Sequence, residues 1–134
     1  MNKYYPDTQI WIDYYLKRGI YGENALKFLK KAIEEDSIIF YSDFTIIELK
    51  KSGFFESEIN EMLRIAKPDN IKRTHLTKIQ ISEAVKLAKQ RDIPYGDALH
   101  AILARDHGVQ LVARDIDFQK LKDITKSKLP EELI

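Results

Sequence analysis

Residues 93–118 read IPYGDALHAILARDHGVQLVARDIDF. Two hydrophobic periods follow one another in this stretch. Ala98, Leu99, Ala101, Ile102, Leu103 and Ala104 make a helix that is apolar on most sides, the pattern of a buried helix. Pro94 is favoured at the first helical position, so Ile93 takes the cap position and Asp97 falls about one turn inside. His107-Gly108 ends the helix, since glycine suits a left-handed residue there. Residues 109–113 (VQLVA) then read as a strand, and Arg114 to Phe118 as a turn carrying two aspartates. A buried helix feeding a short apolar strand is one unit of a layered α/β sheet.

The same alternation runs outward from this stretch. Residues 4–7 form a short β segment ending in an Asp, and residues 8–16 a short helix with Ile10, Ile12, Tyr14 and Tyr15. Residues 23–35 carry a helical stripe of Ala25, Leu26, Phe28, Leu29, Ala32 and Ile33. Residues 37–41 (SIIFY) form a buried strand. Ser42 or Asp43 caps the next helix, which carries Ile46, Ile47 and Leu49 and stops near Ser52-Gly53. Residues 56–66 make another helix, ended by Pro68, and residues 71–74 a weak strand. Thr77-Lys-Ile-Gln80 matches a capping box ahead of a helix with the stripe Ile81, Ala84, Val85, Leu87 and Ala88. Beyond Phe118 and Leu121 an edge strand and a tail are expected. Strands separated by helices imply parallel pairing, so the expected fold is α/β, a small parallel sheet sandwiched by helices. A length of 134 residues fits one domain spanning residues 1–134.

The chain has no cysteine, which excludes disulfides and thiolate-held metals. Twenty-two Lys+Arg against 21 Asp+Glu leave a formal charge of +1, so any nucleic-acid contact must come from a local patch. MNKYYPDTQIWIDYY holds no apolar run suited to a signal peptide, and no stretch approaches the roughly 20 apolar residues of a membrane span. A cytoplasmic protein without membrane contact is expected.

In open α/β sheets ligands bind outside the carboxyl ends of the strands. Asp7 follows the first strand, Glu48 lies in the helix after SIIFY, and Asp115 and Asp117 follow VQLVA. Each has a plain alternative: a cap, a surface residue, a turn residue. Asp97, on a buried helix, needs a partner, because an unpaired buried charge is costly. No Lys or Arg interrupts the local apolar stretches. Converging carboxylates without cations point to a divalent metal, and all-oxygen ligands suit Mg²⁺ or Mn²⁺. His75, His100 and His107 lack zinc-protease spacing. His100 lies three residues past Asp97 and reads as a packed, hydrogen-bonded residue. A carboxylate-held metal can polarise a phosphate and activate water, which suits phosphodiester hydrolysis.

Residues 4–12 (YYPDTQIWI), 42–51 (SDFTIIELKK) and 93–118 together resemble the PIN-domain nucleases, especially the VapC-type toxins, over essentially the whole chain. The resemblance implies a Mg²⁺- or Mn²⁺-dependent endoribonuclease, the toxin of a type II toxin–antitoxin pair. It implies Asp7, Glu48, Asp97 and Asp115 as the acidic catalytic and metal-binding set, with Asp117 beside them and Thr8 supporting the site. Gln9 stands where the family usually has Asn, which changes the reach of a supporting amide. Pro6 lacks a backbone donor and belongs at a strand end. The implied partners are RNA, an antitoxin protein and a second copy of the chain.

Arg114, Lys120, Lys122, Lys126 and Lys128 are the candidate phosphate contacts. Trp11, Tyr14 and Tyr15 fit the core or an interface better than base stacking. A housekeeping RNA-processing nuclease and a non-catalytic RNA- or protein-binding PIN domain are the alternatives. A phosphoacceptor receiver domain would need an acidic pair after the first strand and a Lys after the last, and VARDIDF offers no such Lys.

Overall fold

The computed structural model describes all 134 residues. Neighbouring side chains of a strand point to opposite faces, and here both faces are apolar. In β1 (Lys3–Pro6), Tyr4 packs into one core and Tyr5 into the other. β2 (Ile38–Ser42) splits in the same way between Ile39 and Phe40, and β4 (Gln110–Val112) between Val112 and Leu111. With β3 (Ile71–Thr74) and β5 (Ser127–Lys128) they form one sheet, all pairs parallel, in the order β3-β2-β1-β4-β5.

Helices cover both faces, as two apolar faces require. On one side are α1 (Thr8–Tyr15), α2 (Gly19–Glu34), α3 (Asp43–Lys51) and α4 (Glu56–Leu63), whose Trp11, Phe28, Leu49 and Ile59 meet Tyr4, Ile39 and Val112. On the other are α5 (Lys78–Arg91) and α6 (Tyr95–His107), whose Ala84, Leu87, Leu99 and Ile102 meet Tyr5, Phe40 and Leu111. The parallel sandwich is therefore as the sequence implies. Pro6 is the last residue of the central strand. The next amide, Asp7 N–H, donates to Val112 O (2.8 Å), so the missing donor of Pro6 points toward β2. The β1–β2 register ends earlier, at Tyr4 and Ile39, so no ladder bond is lost.

Several boundaries differ from expectation. α2 begins at Gly19 rather than residue 23, and α4 ends at Leu63 rather than residue 66. α6 begins at Tyr95 with Pro94 in the cap position, so Asp97 is the third helical residue. The buried face of α5 is Gln80, Ala84 and Leu87, while Ile81 and Val85 lie partly in solvent. That rotation lets Gln80 Nε2 donate to Asp106 on α6 (3.0 Å), beside a two-pronged Arg105–Glu83 bond. The expected tail is structured: a 3₁₀ turn, Pro130–Leu133, with Pro130 buried and Leu133 against the α1–α4 core.

Candidate metal centre

All strands being parallel, their carboxyl ends share one edge, and the connections reverse direction between β1 and β4. Such a reversal opens a crevice at that edge. Asp7 stands at the end of β1, in the cap position of α1, with no side-chain cap bond, so its carboxylate is free to face inward. It is buried, at 7% exposure. Ser42 ends β2 and caps α3 in a capping box with Thr45, which fixes the helix carrying Glu48. Asp97 enters from the first turn of α6, where the helix N-terminus favours negative charge. Asp115 follows β4 and accepts the Asp117 N–H (2.9 Å), capping the 3₁₀ turn Ile116–Leu121.

Asp7, Glu48, Asp97 and Asp115 line a cleft of about 470 Å³, and Asp117 lies outside its lining. Their ligand atoms fall into two sets, Asp7 with Glu48 and His100, and Asp97 with Asp115 and Asp117. Within each set the atoms lie within 4.8 Å of one another. Thr8 Oγ1 donates to Glu48 Oε1 at 2.6 Å. Gln9 points instead along its own helix, donating to Asp13 Oδ1 (3.0 Å).

Burial pushes the Asp7 carboxyl up, and Glu48 and Asp115 add to it against the pull of His100. Burial also raises Asp97, with repulsion from Asp7 and Asp115, to about 7. For Glu48 burial works upward as well, but His100 and the Thr8 hydroxyl hold it below its usual value. Burial opposes charge on His100, yet Tyr5, Glu48 and Asp7 outweigh it and carry the ring to about 10. Asp97 Oδ2 is buried and has no hydrogen-bond partner. A buried, unpartnered carboxylate oxygen among repelling carboxylates fits a divalent cation, and the oxygen donors fit Mg²⁺ or Mn²⁺.

The cationic side chains divide. Arg114 lines the cleft, but its two terminal nitrogens go to Glu131 (2.9 and 2.7 Å) and its guanidinium stacks on Tyr21 at 4.2 Å. Lys120, Lys122, Lys126 and Lys128 are exposed outside the cleft, with Lys122 and Lys126 beside a separate shallow hollow. Trp11 is wholly buried, and Tyr14 and Tyr15 pack against the same core. Arg18 and Asp13 also line the cleft and pair at 3.7 Å, which no spacing in the sequence signals. His100 is packed and hydrogen-bonded as expected, but its packing is inside the acidic site. Its position three residues past Asp97 was the available sign.

Residues 4–124 match a family profile described as PIN domain. No curated protein matches the sequence. Among solved structures, PAE2754 from Pyrobaculum aerophilum aligns with a TM-score of 0.65 at 17% identity, over 98% of this chain and 86% of that one. VapBC2 from Rickettsia felis, bound to a DNA fragment from their promoter, aligns at 0.65 and 21% identity, over 95% and 96%. A toxin–antitoxin complex from Klebsiella pneumoniae aligns at 0.58 and 20%, over 97% and 98%. At these identities the likeness is one of fold. The profile goes further, since it takes in every helix and every carboxylate of the cleft: the chain belongs to the PIN domain family.

Proposed function

We propose that the protein is a Mg²⁺- or Mn²⁺-dependent endoribonuclease and the toxin of a type II toxin–antitoxin pair. PIN domains are generally nucleases. The observation that carries the metal dependence is Asp97: a half-buried carboxyl with one oxygen unpartnered, facing Asp7 and Asp115. Asp7, Asp97, Asp115 and Glu48 would hold the ion, with Asp117 at the rim. The bound ion would supply Lewis-acid stabilisation of phosphate charge and an activated water. The chain's own part is to hold these carboxylates at one edge and fix Glu48 through Thr8. No helix is long and apolar enough to cross a membrane.

RNA as substrate follows from the family resemblance. The antitoxin partner is supported by solved neighbours that are themselves toxin–antitoxin assemblies. A second copy of the chain as partner, and the cytoplasm as location, belong to the same reading.

The purified protein should cleave RNA with Mg²⁺ or Mn²⁺ and stop with EDTA. Asp7→Asn should lower cleavage at least a hundredfold with an unchanged circular dichroism spectrum. Mapping new RNA 5′ ends after brief expression in cells would identify the substrate. Metal-independent cleavage, or full activity in Asp7→Asn, would overturn the reading; a folded protein that leaves RNA intact favours a binding role.

A further inference from the structure

We propose that His100 is a positioning residue: its Nε2 carries a hydrogen donated to Glu48 Oε1, so His100 is no metal ligand and Glu48 offers the ion one oxygen, Oε2. This deepens the metal-dependent reading above and rests on it.

His100 is fully buried in the middle of α6. Its Nε2 faces Glu48 Oε1, Thr8 Oγ1 (3.2 Å) and Asp7 Oδ1 (3.5 Å). The Thr8 hydroxyl hydrogen is directed at Glu48 Oε1, so all three oxygens turn acceptors toward the imidazole. A bare Nε2 lone pair there would face only lone pairs, and a ring nitrogen that ligates a metal needs that lone pair. Although Asp7, Glu48 and His100 are close enough together to share an ion, the third of them is spent as a donor.

The other side of the ring explains why it stays put. Nδ1 lies 2.7 Å from the Tyr5 hydroxyl, which lies 2.7 Å from Ser42 Oγ. Ser42 Oγ accepts the Thr45 N–H (3.2 Å). A hydrogen-bond chain thus starts at the cap of α3, crosses β1 and α6, and returns to Glu48 on α3. Tyr5, Ser42, Thr45 and His100 are all fully buried, and a satisfied buried chain fixes one geometry. If Nδ1 also bears hydrogen, the hydroxyls turn round and Ser42 reaches Thr45 Oγ1 (3.3 Å); Nε2 keeps its hydrogen in both arrangements. Glu48 Oε2, the oxygen left over, lies over Gly96, where an added Cβ would sit 2.8 Å from it.

Long-range ¹H–¹⁵N NMR of the metal-free protein should show a slowly exchanging hydrogen on Nε2 of His100, retained when Mg²⁺ is added. Mn²⁺ binding, read by electron paramagnetic resonance, should fall about ten- to a hundredfold in His100→Leu, as loss of a ligand's supporting bond does. His100→Gln places an amide N–H near the Nε2 position and should restore affinity to within about threefold of wild type. Tyr5→Phe, which frees the ring and leaves Ser42 Oγ to Thr45, should weaken Mn²⁺ binding even if His100→Leu fails to fold. An Nε2 without hydrogen, one that loses it on Mg²⁺ addition, or wild-type affinity in folded His100→Leu overturns the proposal. A wild-type protein that binds no Mn²⁺ overturns it too. An Nε2 hydrogen in that same protein would place the fault in the metal reading and not in the hydrogen-bond assignment.

Discussion

Asp97 is held ionised only against its surroundings. Burial and the Asp7 and Asp115 carboxylates raise it to about 7, and its Oδ2 has no donor. The folded value lies above the unfolded one, about 3.9 for Asp, so the folded chain binds the extra proton between them. The contribution of Asp97 to the stability of the metal-free protein therefore falls as pH rises from about 4 to about 7, and stays lowered above that. Asp97→Asn removes the charge and the slope together. In EDTA at pH 8 the variant should melt above wild type, and the gap should close as pH falls toward 4. Mn²⁺ should raise the wild-type melting temperature and leave Asp97→Asn unmoved. Scanning fluorimetry decides both; a variant that melts lower in EDTA, or gains from Mn²⁺ as wild type does, would remove Asp97 from the ligand set. At this scale the positions of Asp7, Asp97 and Asp115 were legible, because each follows a strand or opens a helix, whereas Glu48 lies well inside α3. The role of His100 was not. Its partners Tyr5 and Glu48 stand 95 and 52 residues away, and only the folded sheet brings them together.

Caps show how far local chemistry reaches. Ser42 and Thr77 satisfy their helices' first amides as the sequence suggests, and Gly108 ends α6 at a left-handed φ of 62°. The face of α5 is a tertiary matter: Ala84 and Leu87 of its stripe are buried, but Ile81 and Val85 give way to Gln80, because α6 presents Asp106 and Arg105 to bond. Gly96 lies between these levels. At the second position of α6 alanine is favoured over glycine by up to about 1 kcal/mol. Its Cβ, however, would stand 2.8 Å from Glu48 Oε2 and 3.2 Å from Phe44 Cε2. Glu48 cannot swing aside cheaply, since Oε1 is engaged by Thr8 and His100. Gly96→Ala should melt within about 4 °C of wild type while losing about tenfold in Mn²⁺ affinity. Titration calorimetry beside thermal melting separates the two effects. Unchanged affinity would show that Glu48 Oε2 does not ligate the ion.

The whole molecule is almost neutral, and its charge is unevenly placed. In the cleft, Asp7, Asp13, Glu48, Asp97 and Asp115 outnumber Arg18 and Arg114, and both arginines are already paired, with Asp13 and Glu131. The free lysines Lys122, Lys126 and Lys128 lie elsewhere. A phosphate backbone approaching this edge meets net negative charge unless a cation is bound first. The parallel sheet makes that unavoidable: the register that gathers the carboxyl ends of β1, β2 and β4 gathers their acidic residues as well. On the proposed function, the ion would serve binding as well as chemistry. Short single-stranded RNA, followed by fluorescence anisotropy at low salt, should bind at least tenfold more tightly with Ca²⁺, an oxygen-seeking ion poorly suited to the reaction, than in EDTA. Asp97→Asn should lose most of that gain, while Lys122→Ala should keep it. Equal binding in Ca²⁺ and EDTA, abolished by Lys122→Ala and Lys126→Ala together, would move the RNA path off the cleft and onto the lysine surface near β5.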